Sequence, residues 1–171
     1  VPLLSGAVSQ AALRFALDKN NEKTLVFSES IRAFAKASVV VMVAIFVNHQ
    51  LNLVPLFNQY PLFFILYYVL CLLSDIISAF ARGIEAISDV AISGLLSSIT
   101  IIALNITLLI VVPLGVSGYF IANIAAFAVV IIYLAIRLKL WRYLVIAKDT
   151  ALRRQMHEYS KPLVFDQIAW W

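Results

Sequence analysis

The chain has 171 residues, 63% of them hydrophobic and 13% charged, with a mean hydropathy of +0.97, against roughly 45–50% apolar and 25% charged in a soluble domain. These values exclude a soluble globular fold and identify an integral membrane protein. The net charge of +4 is not the footprint of a nucleic-acid binder, because the basic residues gather in connections between apolar runs, where they anchor a membrane protein on one side.

The first segment, 1–18, has no initiator methionine, basic leader or cleavage pattern, so the chain is expected to begin inside an element. Its apolar run is interrupted by Gly6, Ser9 and Gln10 and ends at Arg14. Small and amide residues suit close helix packing or a cavity wall, and the segment reads as the inner half of a partial span. Residues 19–36 form a polar cytoplasmic connection with amphipathic helix in its second half. From Ala37 to about Phe57 the chain is apolar again; its length and neighbours favour a helix in lipid over a buried strand. Asn48, His49, Gln50 and Asn52 mark the far end. With no second His, Cys or acid at ligand spacing, His49 reads as an interfacial histidine.

The segment Pro61–Arg82 holds the one acid deep inside an apolar run, Asp75. As a helix it extends ~33 Å, enough to cross a ~30 Å hydrocarbon core. Asp75 and Arg82 are seven residues apart and share a helix face with Ser78 and Ala79. An ionisable group inside a span costs ~2.5–3.5 kcal/mol unless it faces water or the bundle interior, which makes Asp75 a functional candidate. The alternative is a structural pairing with Arg82 near the water boundary. Cys71, the lone cysteine, forms no intramolecular disulfide and reads as packing.

A short turn follows, GIEAISDVAISG, whose Glu85 and Asp89 stand without a base or nucleophile nearby and read as solvated acids. The next span is expected from about Ile92 to Val112, with Asn105 placed to bond another helix or a polar substrate. After the uncharged turn Pro113–Gly118 a further span covers about Tyr119–Leu138, with Asn123 near its start. Basic residues then return through Arg154, with Trp141 and Tyr143 at interface-anchor positions on a short amphipathic helix. Residues 159–171 restart an apolar segment that stops short of a full span.

All thirteen Lys and Arg fall around 14–36, 82–89 and 137–161, and none in the connections 48–60 and 113–118. The positive-inside rule therefore makes alternate connections cytoplasmic. The expected fold is all-α: a polytopic transmembrane bundle of about four full spans and two partial ones. It divides into a bundle with its cytoplasmic linker, 1–158, and the start of a second lobe, 159–171. No G-x-S-x-G, H-E-x-x-H, phosphate loop or nucleotide signature is present, so a transporter is favoured over an enzyme, with no cofactor, no metal site and no nucleic-acid partner expected. Gln10, Asp75, Asn105 and Asn123 are the groups available to face a pathway.

The segment ALRRQMHEYSKPLVFDQIAWW, 151–171, resembles the join between the halves of bacterial polysaccharide-biosynthesis flippases of the O-antigen transporter type, in the multidrug/oligosaccharidyl-lipid/polysaccharide exporter superfamily. There a basic linker leads into K-Y-S-x-P-L-I-P-x-x-I-x-W-W; Tyr159, Ser160, Pro162, Leu163, Ile168, Trp170 and Trp171 match it. Phe165 and Asp166 depart from it, standing where the family tends to have Pro and Asn. GAVSQAALRFALD and the stretch 81–138 are similar to family patterns as well. The resemblance implies the N-terminal lobe of a two-lobe carrier with a polar central cavity in a bacterial plasma membrane. The cargo would be an undecaprenyl-pyrophosphate-linked oligosaccharide, with Arg14 and Arg82 as phosphate candidates, membrane lipids as surroundings and a C-terminal lobe as partner. Rival readings are a multidrug/cation antiporter or lipid II flippase of the same superfamily. A polysaccharide polymerase is the rival from another class, disfavoured by the short outer connections without basic residues.

Overall fold

The computed structural model describes residues 8–18, 21–52, 54, 58–145 and 149–169, with side chains followed to Leu163 in the last helix. Among these residues there is no strand. Six helices follow one another: α1 Val8–Leu17, α2 Lys23–Leu51, α3 Pro61–Gly83, α4 Ile87–Asn105, α5 Val116–Arg137 and α6 Thr150–Ala169. One π turn, Ile106–Val111, continues α4, and a 3-10 turn, Leu140–Tyr143, lies between α5 and α6. Four helical stretches are long and apolar enough to cross a membrane: Lys23–Leu51, Pro61–Gly83, Ile87–Val111 and Val116–Arg137. The chain is a multi-pass membrane protein with an all-α bundle.

α3 is the central helix. It packs on α5, α1 and α2, while α4 lies outside against α5 and α6 leans on α1. Pro61 opens α3 at a position where its missing N–H is no loss. At the basic end of the bundle one core joins Ala11 and Ala16 of α1, Phe27 of α2, Phe80 and Ala81 of α3, Leu134 of α5, Leu140, and Leu152 and Met156 of α6. A second core, in mid-bundle, joins Ala37 and Val41 to Tyr68, Leu72 and Ile76. At the opposite end Phe120 is an aromatic hub, 5.0 Å from Phe64, 5.7 Å from Phe63 and 5.9 Å from Tyr67 between ring centroids.

Three connections differ from the sequence expectation. Residues 23–36 are not a separate connection: they are the first half of one 29-residue helix with the apolar run. No Gly or Pro interrupts 23–51, and burial of Val26, Phe27, Ser28, Glu29 and Ser30 holds the polar half in the bundle. The third span starts at Ile87 rather than Ile92. The stretch after α5 is the 3-10 turn followed by α6, not one amphipathic helix; Tyr143 is no interface anchor but packs on Phe80 at 5.3 Å and Phe27 at 6.4 Å. α6 continues through Pro162 across position 158/159. The side chains of Phe165, Asp166 and Ile168, and all of Trp170 and Trp171, lie outside the described residues.

The α3–α4 corner shows how local chemistry sets the bundle. Ala86 N–H bonds Ala81 O at 2.9 Å and Glu85 N–H bonds Arg82 O at 3.0 Å, the paired closure that ends a helix with one left-handed residue. That residue is Glu85, with φ 65°. Gly83 is still helical and serves packing instead: a Cβ there would sit 2.5 Å from Ala16 Cβ and 2.9 Å from Leu13 O. Glycine lets α1 and α3 touch.

Candidate functional site

The close contact of Gly83 with Ala16 and Leu13 places Arg82 on α3 and Arg14 on α1 in one layer at the basic end. Arg14 and Arg82 are both exposed. Arg14 is also held, its guanidinium carbon 4.3 Å above the Tyr159 ring of α6, a cation–π stack. Gln10 lies one turn up α1, on the exposed side with Arg14.

On α3, Cys71 and Ser78 are half-buried while Asp75 and Arg82 are exposed. Spacings of 4, 3 and 4 put these four on one stripe. The flanks are closed: Leu72, Ile76, Ala79 and Gly83 are buried on one side, Ser74, Ile77 and Ala81 on the other. The polar stripe is therefore the uncovered face of the central helix. Among the described residues no hydrogen bond or ion pair joins Asp75 to Arg82.

The two amides stand elsewhere. Helices α4 and α5 run antiparallel, matched by Asp89–Arg137 at one end and by Leu108 against Gly118 at the other. That register sets Asn105 and Asn123 at nearly one depth. α3 and α5 are matched by Tyr67 between Phe120 and Phe127, which puts both amides near the Tyr67 layer, about 12 Å from Asp75 along the bundle. Asn123 is buried and donates through Nδ2 to Tyr119 O at 2.8 Å. Asn105 has a buried Oδ1 without a partner, at the residue where the helix widens into its π turn. The candidates thus form two groups: Gln10, Arg14, Asp75 and Arg82 toward the basic end, Asn105 and Asn123 toward the other.

Sequence reasoning missed two positions. The first is Lys36, assigned to the polar connection. Phe27 meets Phe80 at 4.7 Å and Ala37 shares a core with Tyr68 and Leu72, so Lys36 stands level with Cys71, about 16 Å beyond the Arg82 layer. It is an exposed cation near mid-depth. The uninterrupted helical run from Lys23 was the available signal. The second is Asp89, which is not simply solvated: it accepts from Arg137 Nε at 3.0 Å and from Tyr133 Oη at 3.4 Å, tying α4 to α5. An acid in the first turn of one helix and an arginine in the last turn of its antiparallel neighbour is the pattern that could have shown it.

No group of three or more His, Cys, Asp or Glu side chains suited to a metal ion occurs among the described residues. An open apolar groove on α5, lined by Val129, Ile132, Tyr133, Ile136 and Arg137, touches none of the six candidates. Compared with known proteins, the chain matches no family model, no curated protein and no solved structure.

Proposed function

We propose that this chain forms one lobe of a two-lobe flippase that carries undecaprenyl-pyrophosphate-linked oligosaccharide across a bacterial plasma membrane for polysaccharide biosynthesis. The observation that carries the reading is the uncovered stripe Cys71–Asp75–Ser78–Arg82 on the central helix. The outer helix α4 bears exposed Leu95, Ile99, Ile102, Ile106 and Ile110, a surface suited to lipid. The polar face of α3 is suited to water or a polar cargo. The resemblance at 151–171 supplies the cargo class.

Sugar hydroxyls and a pyrophosphate cross hydrocarbon only at prohibitive cost. Cations neutralise phosphate and amides replace water on hydroxyls. Arg14, Arg82 and the newly placed Lys36 are the cations for the first task; Gln10, Asn105 and Asn123 are the amides for the second. No covalent step is involved. A second lobe closes against the polar face, and rocking of one lobe on the other opens the site to each side in turn.

The test is glycan export by the full-length protein carrying Asp75→Asn, Asp75→Ala, Lys36→Gln or Arg82→Gln, with membrane insertion measured in parallel. The expected result is lost export at normal insertion for Asp75→Ala and for at least one cation. Wild-type export by all four variants would overturn the assignment of the stripe to the pathway.

A further inference from the structure

We infer that the inner end of α5 and the turn after it form a binding site for one anionic phospholipid molecule, its acyl chain in the groove of α5 and its headgroup on Arg137, Lys139 and Arg142. The groove is built from Val129, Ile132, Tyr133 and Ile136, one apolar strip about 10 Å long on the outside of the bundle. Arg137 closes one end of it. The groove is thus apolar along its length and cationic at its mouth, which is the polarity of a phospholipid.

The turn adds charge at that mouth. Lys139 N–H bonds Ile136 O at 3.3 Å and Arg142 N–H bonds Lys139 O at 2.9 Å, so both follow directly on the groove. Lys139 holds a left-handed backbone with φ 51°, and Leu140 is buried in the core of the basic end, pinning the turn. Around that pin Trp141 is 57% and Leu144 53% exposed. An exposed indole and leucine beside exposed cations suit the boundary between acyl chains and headgroups. Arg137 is 66% exposed although it pairs with Asp89, and its fork has five donors, so it keeps N–H groups for a phosphate. Counting Asp89 against Arg137, Lys139 and Arg142 leaves two positive charges, which favours an anionic over a zwitterionic headgroup.

The experiment uses the whole chain in detergent with Trp170→Phe and Trp171→Phe, so that Trp141 is the remaining indole. Its fluorescence is quenched with dibromo-phosphatidylglycerol or dibromo-phosphatidylcholine. Half-quenching is expected at a roughly tenfold lower mole fraction of the anionic lipid. Lys139→Asn, which suits the left-handed backbone, combined with Arg142→Gln should bring that ratio close to one. Val129→Phe with Ile132→Phe should weaken both lipids by filling the groove. Equal quenching by the two lipids, an unchanged ratio in the charge variant, or unchanged quenching in the groove variant would each overturn the site. So would protection of the indole by millimolar inorganic phosphate alone, which would assign the cations to a free anion. An unchanged helical circular dichroism spectrum and thermal midpoint without lipid check that each variant keeps its fold.

Discussion

Ser28 Oγ on α2 accepts the Val145 N–H at 2.8 Å while donating to Tyr143 O at 3.1 Å, so one hydroxyl fastens both ends of a short extended segment. Arg32, paired with the buried Glu29, adds a bond from Nη2 to Val145 O at 3.2 Å. The connection from α5 to α6 is thereby held on α2 over a sequence separation of 117 residues. Replacing Ser28 with Ala leaves the Val145 N–H without its partner, at about 1–2 kcal/mol. Hydrogen exchange at Val145 should accelerate by roughly five- to thirtyfold; unchanged protection would show that the hydroxyl carries no weight.

Gly83→Ala should loosen the α1–α3 contact. The new Cβ meets Ala16 Cβ and the Leu13 carbonyl, and backbone does not yield as a flexible side chain does. A loss of about 1–3 kcal/mol is expected, read as a lower thermal midpoint in detergent. Adding Ala16→Gly should recover part of it. A midpoint equal to the parent's would mean that the helices sit farther apart than described.

By the positive-inside rule the basic end is expected to face the cytoplasm. Single cysteines introduced into a Cys71→Ala background should be labelled from outside at Asn58 and Val116, and only after permeabilisation at Lys23. External labelling at Lys23 in intact cells would invert the topology.

On α6, Arg154 Nε lies 2.9 Å from Glu158 Oε1, and the guanidinium holds the Glu158 carboxyl below its usual range. A depressed carboxylate contributes to stability above its unfolded value, and that contribution is lost as pH falls through the folded value. Both side chains are well exposed, so the effect is small and salt-sensitive. Amide exchange in 150–158 should rise modestly as pH drops below the usual glutamate range, after correction for intrinsic rates. Glu158→Gln should remove that dependence.

Much of the bundle was legible because hydropathy and length decide where helices cross lipid. Pro61–Gly83 and Val116–Arg137 lie within a few residues of their expected limits. Ends and partners were harder. The expected turn began at Gly83, yet that residue is still helical and the left-handed position is Glu85, because tertiary contact with α1 claims the glycine. Lys36 was assigned to the polar connection, at the end of its amphipathic second half, because hydropathy averages over neighbours, whereas continuity with the apolar run depends on the absence of breakers. For the candidate site, the shared stripe of Asp75 and Arg82 was readable from spacing alone. The separation of both from Asn105 and Asn123 was not, since depth depends on the register between helices, and that is fixed by contacts such as Tyr67 with Phe120 and Phe127.

The π turn at Ile106–Val111 makes the outer end of α4 the place where this chain can absorb a change in its own length. Val112 N–H reaches Thr107 O at 2.9 Å, five residues back, so the turn carries one residue more than an α turn needs. Deleting one of its residues other than Leu108 lets the ladder close in ordinary α geometry while Leu108 stays as the seat of Gly118. The same deletion in the middle of α3 would turn Asp75 by about 100° relative to the residues beyond the cut. In a deletion scan, tolerance should peak at 106–111 and collapse between Leu72 and Ala81.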